Sequence, residues 1–145
     1  FKSSMVDEAL LSLPASWSLE RNSTENEIQK QIYVRDGFVI SLAYSGVCEG
    51  CSQTTEKNVS AFVDAAKKDK AIETTAEFLI LNGVPIQKSR SLYRVKRVRI
   101  DSFQSIYRNQ YGSLSLRFPL GVGNDVEKTK QFEQAAADFF STFAR

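Results

Sequence analysis

Two cysteines in the order Cys48-Glu49-Gly50-Cys51 are the residues of this chain whose spacing most directly suggests chemistry. Such a pair forms a local disulfide, stays reduced, or takes part in redox or metal chemistry. We favour a disulfide that rigidifies a loop in an oxidising compartment, because the carboxylate of Glu49 opposes formation of a reactive thiolate. The sequence holds no other cysteine and no histidine, so one chain cannot supply four zinc ligands of these types.

The absence of histidine also bears on catalysis, because histidine is the commonest general base. It excludes the Ser-His-Asp and Cys-His arrangements of nucleophilic catalysis. Neighbouring carboxylates are interpreted as solvated faces, and these are Asp7 with Glu8, Glu73 with Glu77, and Asp125 with Glu127. We therefore expect no enzyme, no catalytic residues, no metal site and no cofactor.

A basic run without any acid between Gln87 and Ile100 is the candidate binding surface. Its members are Lys88, Arg90, Arg94, Lys96, Arg97 and Arg99. On one predicted strand over residues 91–100 these charges do not share a face unless a bulge shifts the register near Lys96. The run suggests docking to an acidic protein, to anionic lipid headgroups or to nucleic acid. The alternative is an edge strand that is charged to prevent aggregation.

Aromatic residues and a glycine-rich turn offer weaker candidates. Phe103, Tyr107 and Phe139 would line a cavity between the sheet and the closing helix if the protein carried a small hydrophobic ligand. Such residues are more often core and cross-strand pairs. The turn Gly121-Val122-Gly123-Asn124 opens a predicted helix and is interpreted as a tight turn with Asn124 as the N-cap, since it lacks a nucleotide-binding fingerprint.

Apolar periodicity predicts the elements that position these residues. Asp36-Gly37 and Asn82-Gly83 are typical of hairpin turns. The arm Phe38–Tyr44 is apolar on both faces, which predicts a strand inside the sheet. Other predicted strands are at Trp17 to Leu19, Ile28 to Val34, Ile72 to Leu81, residues 91–100, Phe103 to Tyr107 and Leu114 to Phe118. The predicted turns are Asn22 to Asn26 and Arg108 to Gly112. Helices are predicted over residues 4–12, over residues 56–68 and after Asn124, the last with a wide phenylalanine-rich stripe.

Length and composition are those of a single globular domain spanning residues 1–145. Helices flank runs of hairpin-linked strands, which predicts an α+β fold with a largely antiparallel sheet. The net charge of +2 is too small to indicate nucleic-acid binding by itself. No RNA-recognition signature or Gly-X-X-Gly clamp accompanies the basic run, so no nucleic-acid partner is expected. Because the sequence begins at Phe1 without a methionine, we expect a processed form whose targeting segment or lipid anchor is not in this chain.

Four short segments resemble the PsbP/Mog1-like family of α/β/α sandwiches, and DcrB-like bacterial periplasmic lipoproteins in particular. These segments are Leu13-Pro14-Ala15-Ser16-Trp17, Phe38-Val39-Ile40-Ser41-Leu42, Asn82-Gly83-Val84-Pro85 and Leu114-Ser115-Leu116-Arg117-Phe118-Pro119. The resemblance implies helices on both faces of the sheet and a non-catalytic accessory domain outside the cytoplasm, in the periplasm, a secreted space or a lumen. It supplies no catalytic residues, and the two-cysteine loop is a departure from it.

The sequence as a whole thus predicts an exported accessory domain that docks to a protein partner or envelope component. The expected docking surface is the basic run, helped by the cysteine loop, and an anchor outside this chain would bring the domain near a membrane. A small hydrophobic-ligand carrier is the first alternative. A thiol redox protein acting through Cys48 and Cys51 is the second.

Overall fold

Seven antiparallel strands form one sheet in the spatial order β1-β2-β3-β7-β6-β5-β4. The structure is a computed structural model that describes residues 11–144, so the helix predicted over residues 4–12 lies almost entirely outside it. The strands are β1 (Ser18–Glu25), β2 (Ile28–Arg35), β3 (Phe38–Ser45), β4 (Ile72–Leu81), β5 (Val84–Tyr93), β6 (Val98–Tyr107) and β7 (Gln110–Arg117). The predicted α+β class with an antiparallel sheet is confirmed.

A long crossover explains the strand order. Hairpins link β1, β2 and β3, and then helix α1 (Glu56–Lys67) carries the chain to the far edge of the sheet, where it packs along β4. Three further hairpins bring the chain back, so that β7 pairs with β3 in the middle. The strand that begins at Phe38 is therefore internal, as its two apolar faces predict.

The core lies between the sheet and helix α2 (Val126–Ser141), which a short 3₁₀ helix (Thr142–Ala144) follows. The predicted phenylalanine stripe is confirmed, since Phe132, Phe139, Phe140 and Phe143 are all buried. The rings of Phe139 and Phe143 lie so close to Gly112 on β7 that a Cβ there would be 2.6 to 2.9 Å from their atoms. Glycine at this position lets the helix end approach the sheet.

Several boundaries differ from the sequence predictions. Residues predicted as a turn from Asn22 pair within β1 as far as Glu25, and the chain reverses at Asn26 and Glu27, which both have positive φ. The turn predicted over Arg108 to Gly112 is confined to its first two residues, since β7 begins at Gln110. The N-cap of α2 is Asp125 rather than Asn124, because the Asp125 carboxylate accepts the N–H of Lys128 at 3.1 Å.

Candidate functional site

The basic run lies across a hairpin rather than along one strand. β5 ends at Tyr93, β6 begins at Val98, and residues 94–97 form the turn between them. Arg97 adopts a φ of 52°, and the N–H of Arg94 leaves the hairpin to donate to the carbonyl of Ala71 at 2.9 Å. The predicted single strand over residues 91–100 is therefore wrong. The turn was missed because it contains none of the glycine, proline, asparagine or aspartate that usually marks one.

The position of the hairpin also removes one explanation for its charge. β5 pairs with β4 and β6, and β6 pairs with β5 and β7, so both strands are internal. The edges of the sheet are β1 and β4. The interpretation of the basic run as an edge strand charged against aggregation is therefore wrong, because it protects no free edge.

Half of the basic run is neutralised by carboxylates on the side of the sheet that faces α2. Arg90 Nε lies 3.0 Å from Asp101 Oδ1, and an Arg99 guanidinium nitrogen lies 2.8 Å from Asp101 Oδ2. Lys88 Nζ lies 3.7 Å from Glu133 and 3.9 Å from Glu77. Lys88, Arg90 and Arg99 thus serve the fold, although the sequence groups them with the other cations.

Asp101 is the buried centre of this network, with a side chain that is 10% exposed. Burial alone would raise the pKa of Asp101, but hydrogen bonds from Arg99 and Arg90, together with their charges, lower it below its usual value. The guanidinium of Arg99 also stacks 4.3 Å from the ring centre of Phe118. The network joins β5 and β6 to the end of β7.

The cations of the turn are in a different situation. Neither Lys96 nor Arg97 has a side-chain hydrogen bond or ion pair within residues 11–144. Arg94 is paired with Glu73 at 3.5 Å, but both side chains are exposed. Val95, between them, is 85% exposed. An apolar side chain held in water beside cations, two of which have no ion pair among the described residues, has no evident role in stability.

A second basic turn lies beside the first. The pairing of Ile72 with Tyr93 brings the segment between α1 and β4 against the β5–β6 turn, where the carbonyl of Ala71 receives the N–H of Arg94. We call the combined surface the basic end, and its cations are Lys67, Lys68, Lys70, Arg94, Lys96, Arg97 and Arg117. Arg117 and the three lysines could not be recognised as part of this surface from the sequence, because only the strand register makes them neighbours of the turn.

An apolar groove of about 360 Å³ opens at the basic end. Its apolar walls are Ala71, Tyr93, Val95, Val98 and Ile100, and its charged members are Lys96 and Arg117. No carboxylate lines this groove. We call it the basic-end groove. Its composition suits a ligand that is apolar in one part and anionic in another.

The cysteine loop lies at the other end of the sheet. Cys48 and Cys51 form a disulfide with their Cα atoms 5.6 Å apart, and the N–H of Cys48 donates to the carbonyl of Asn109 in the β6–β7 turn. β6 separates that turn from the basic end by about 30 Å at the usual rise per residue. The disulfide interpretation is confirmed. The cysteine loop and the basic turn lie at opposite ends of the sheet, and a contribution of the cysteine loop to docking stays a prediction.

Replacing both cysteines with serine should lower the free energy of unfolding by no more than about 2 kcal/mol, because the closed loop is very short. Urea denaturation of Cys48→Ser/Cys51→Ser beside the wild type measures this. In the native protein we expect both thiols to resist alkylation until a reductant is added, as intact mass shows. Immediate alkylation of the native protein would contradict the disulfide and with it the expectation of an oxidising compartment.

A second groove of about 300 Å³ lies between the sheet and α2, where the ligand-carrier alternative would place its cavity. Phe103 and Phe132 line it, but the predicted partners Tyr107 and Phe139 do not, and Phe139 is instead a buried core residue. Its rim is formed by the ion pairs of Lys88, Arg90 and their carboxylates. This rim is poorly suited to a hydrophobic ligand, since its charges would lose water on binding.

The remaining candidates are the neighbouring carboxylates that the sequence analysis interprets as solvated faces. Glu73 and Glu77 are exposed and ion-paired, and Glu127 pairs with Arg35 at 3.1 Å. Asp7 and Glu8 lie outside the described residues. In the part of the chain that the structure describes, no cluster of three or more His, Cys, Asp or Glu is arranged to hold a metal ion.

Comparisons with known proteins identify no relative of this chain from which a function could be inferred. A scan against models of protein families and a search of curated proteins find no match for this chain. Neither helix within residues 11–144 is long and apolar enough to span a membrane.

Proposed function

We propose that this protein is a non-catalytic accessory domain that docks, through its basic end, to an acidic surface of a larger assembly or envelope component. The observation that carries the proposal is the turn itself, where Val95 is 85% exposed between cations and neither Lys96 nor Arg97 has a partner among the described residues. An exposed apolar side chain flanked by cations is expected to be buried against a partner whose surface is acidic.

The distribution of acids supports the basic end as the docking surface. The next acidic cluster along this end of the sheet is made by Asp36, Asp125 and Glu127, and it is already paired with Arg35 and Lys128. At the basic end the carboxylates are Asp69, which accepts the N–H of Ala71, and Glu73. Two carboxylates facing seven cations compensate the positive field there only in part, and the remaining field would steer an acidic partner to this end of the molecule.

The compartment and the fold family are parts of the same proposal. An extracytoplasmic location is supported by the Cys48–Cys51 disulfide, because such bonds persist in oxidising compartments. A PsbP/Mog1-like α/β/α sandwich is supported by the burial pattern of β4. There Glu73, Thr75 and Glu77 are exposed, while the alternate residues are partly buried where α1 packs. This pattern fits α1 on the face opposite α2.

Reversing two charges of the turn tests the proposal. Lys96→Glu/Arg97→Glu should reduce partner binding at least about tenfold at low salt, since each lost charge contact weakens association and each new carboxylate repels. The measurement is the amount of protein retained by the assemblies and membranes in extracts of its native compartment. The thermal unfolding midpoint should stay unchanged, because neither side chain has a hydrogen bond or ion pair within residues 11–144 and both are exposed.

The matched control is Arg21→Glu/Lys30→Glu on β1 and β2, which makes the same change in net charge at the far side of the sheet. It should bind as the wild type does. Equal retention of the wild type and the Lys96→Glu/Arg97→Glu variant at low salt would sink the proposal.

A small hydrophobic-ligand carrier is the second proposal, and the groove lined by Phe103 and Phe132 is the observation in its favour. Its ion-paired rim makes it the weaker of the two. Thiol redox chemistry has less support still, because the disulfide sits in a loop and not at the N-terminus of a helix.

A further inference from the structure

We infer that the acidic surface contacted by the basic end is the anionic face of a lipid bilayer. The inference rests on the proposed docking function and names its partner. It follows from two features of the same surface, an apolar groove flanked by cations and an apolar side chain exposed on the turn.

The basic-end groove has the two-part chemistry of a lipid contact. Aliphatic and aromatic side chains form its walls, and Lys96 and Arg117 supply its charges. An anionic phospholipid presents the complementary pair, a charged headgroup joined through glycerol to hydrocarbon chains. The apolar walls would take the upper acyl chain and glycerol region while the two cations bind the headgroup. Because no carboxylate lines the groove, nothing in it repels an anion.

The surroundings of the groove extend the same contact. Lys68 and Lys70 come shortly before Ala71 of the groove wall, and Arg97 belongs to the turn that carries Val95 and Lys96. Long basic side chains reach headgroups while their methylene stems cover apolar surface. Each lysine or arginine near an anionic membrane contributes about 1 kcal/mol. Tyr93, which is partly exposed, is a residue type that favours the membrane–water interface.

Val95 provides the apolar contact that charge alone does not explain. It is 85% exposed at the crest of the β5–β6 turn, so entry into the interfacial region would bury most of its surface. An acidic protein would be recognised through the cations, but the core of a protein interface is usually enriched in aromatic anchors. Val95 is aliphatic, and Tyr93 in the adjoining groove is only 38% exposed, so this surface fits the lipid interface better than a protein interface centred on an aromatic anchor.

Vesicle co-sedimentation with the full chain tests the inference. The wild type should bind vesicles of phosphatidylcholine that contain about a third phosphatidylglycerol, and binding to pure phosphatidylcholine should be much weaker. Val95→Ser should weaken binding to the anionic vesicles about fivefold, the loss expected for roughly half of a buried valine. Lys96→Glu/Arg97→Glu should abolish binding.

Ile80→Ser is the matched control, because Ile80 is 68% exposed on the β4–β5 turn side of the sheet, far from the basic end. It should bind as the wild type does. A wild type that ignores anionic vesicles, or a Val95→Ser variant that binds them as tightly as the wild type, overturns the lipid assignment.

Binding to immobilised poly-glutamate separates the two levels of the proposal. Charge-dependent binding to poly-glutamate without vesicle binding overturns the lipid assignment and leaves docking to an acidic protein in place. Binding to neither surface overturns both the lipid assignment and the docking function. Vesicle binding that depends on both Val95 and the turn cations supports both.

Discussion

Replacing Phe139 with alanine is expected to lower the free energy of unfolding by about 3–5 kcal/mol. The ring is 1% exposed and packs edge-on against three other rings, those of Tyr44, Phe140 and Phe143. It also fills the space above Gly112, where the strand has no side chain of its own. Backbone atoms of β7 cannot collapse far into that space, so the variant keeps most of the cavity.

Urea denaturation of Phe139→Ala measures this effect, and Phe62→Ala is its matched control. Phe62 lies on α1 and is 40% exposed, so its removal should cost less than about 1 kcal/mol. Equal losses in the two variants would show that α2 does not seal the core as described. Vesicle binding of folded Phe139→Ala should match that of the wild type, since the basic end is built by other elements.

Strands whose boundaries are marked by turn chemistry could be predicted from the sequence. Asp36-Gly37 and Asn82-Gly83 adopt the positive φ values that two-residue hairpin turns require, and the strands on either side follow at once. The closing helix was recognisable because its phenylalanines recur at helical spacing and all face one sheet. In both cases the local pattern and the tertiary structure favour the same element.

The turn at residues 94–97 could not be predicted in the same way. Its residues have no turn preference. The positive φ of Arg97 is supported instead by tertiary hydrogen bonds at both ends of the turn. The N–H of Arg94 donates to the carbonyl of Ala71, and the N–H of Gly121 donates to the carbonyl of Arg97. Apolar and basic residues alternate through it as they do in a strand. The sequence therefore indicates a basic element but predicts a continuous strand where the structure has a turn.

The composition of the basic end depends on register, which is a property of the whole sheet. Lys70 and Arg94 are neighbours because β4 and β5 pair over ten residues, from Ile72 with Tyr93 to Leu81 with Val84. Arg117 joins them because β7 pairs with β6. Local periodicity carries no information about such long-range pairs, so the free cations could not be separated from the paired ones by sequence alone.

Asp101 is the residue that pairs Arg90 and Arg99 and so distinguishes them from the free cations of the turn. Removing it should have the second large effect on stability. Asp101→Ala is expected to lower the free energy of unfolding by about 2–4 kcal/mol at neutral pH. The variant leaves Arg99, which is 13% exposed, without the carboxylate that it contacts through two nitrogens. Arg90 is half-exposed and can be rehydrated, which keeps the loss below that of a fully buried pair.

Acid titration identifies the source of that loss. The folded pKa of Asp101 is lowered, because the hydrogen bonds and charges of Arg99 and Arg90 outweigh the opposing effect of burial. An unfolded Asp101 titrates near 3.8, so the unfolded chain binds the proton first as the pH falls. The contribution of Asp101 is therefore complete above about pH 5 and is lost as the pH falls through the folded pKa.

Asp101→Asn keeps the shape of the side chain and removes its charge, so its stability should approach that of the wild type as the pH is lowered from about 6 towards 3. Urea denaturation at a series of pH values measures the difference. Glu77→Gln is the control, because the exposed pair of Glu77 with Lys88 at 3.9 Å should contribute less than about 1 kcal/mol at any pH. A difference between Asp101→Asn and the wild type that stays constant with pH would mean that the folded pKa of Asp101 is not lowered, so that the charges of Arg90 and Arg99 give its carboxylate no net stabilisation. Those two arginine charges would then be available as those of Lys96 and Arg97 are, and both arginines would gain a claim to the docking surface.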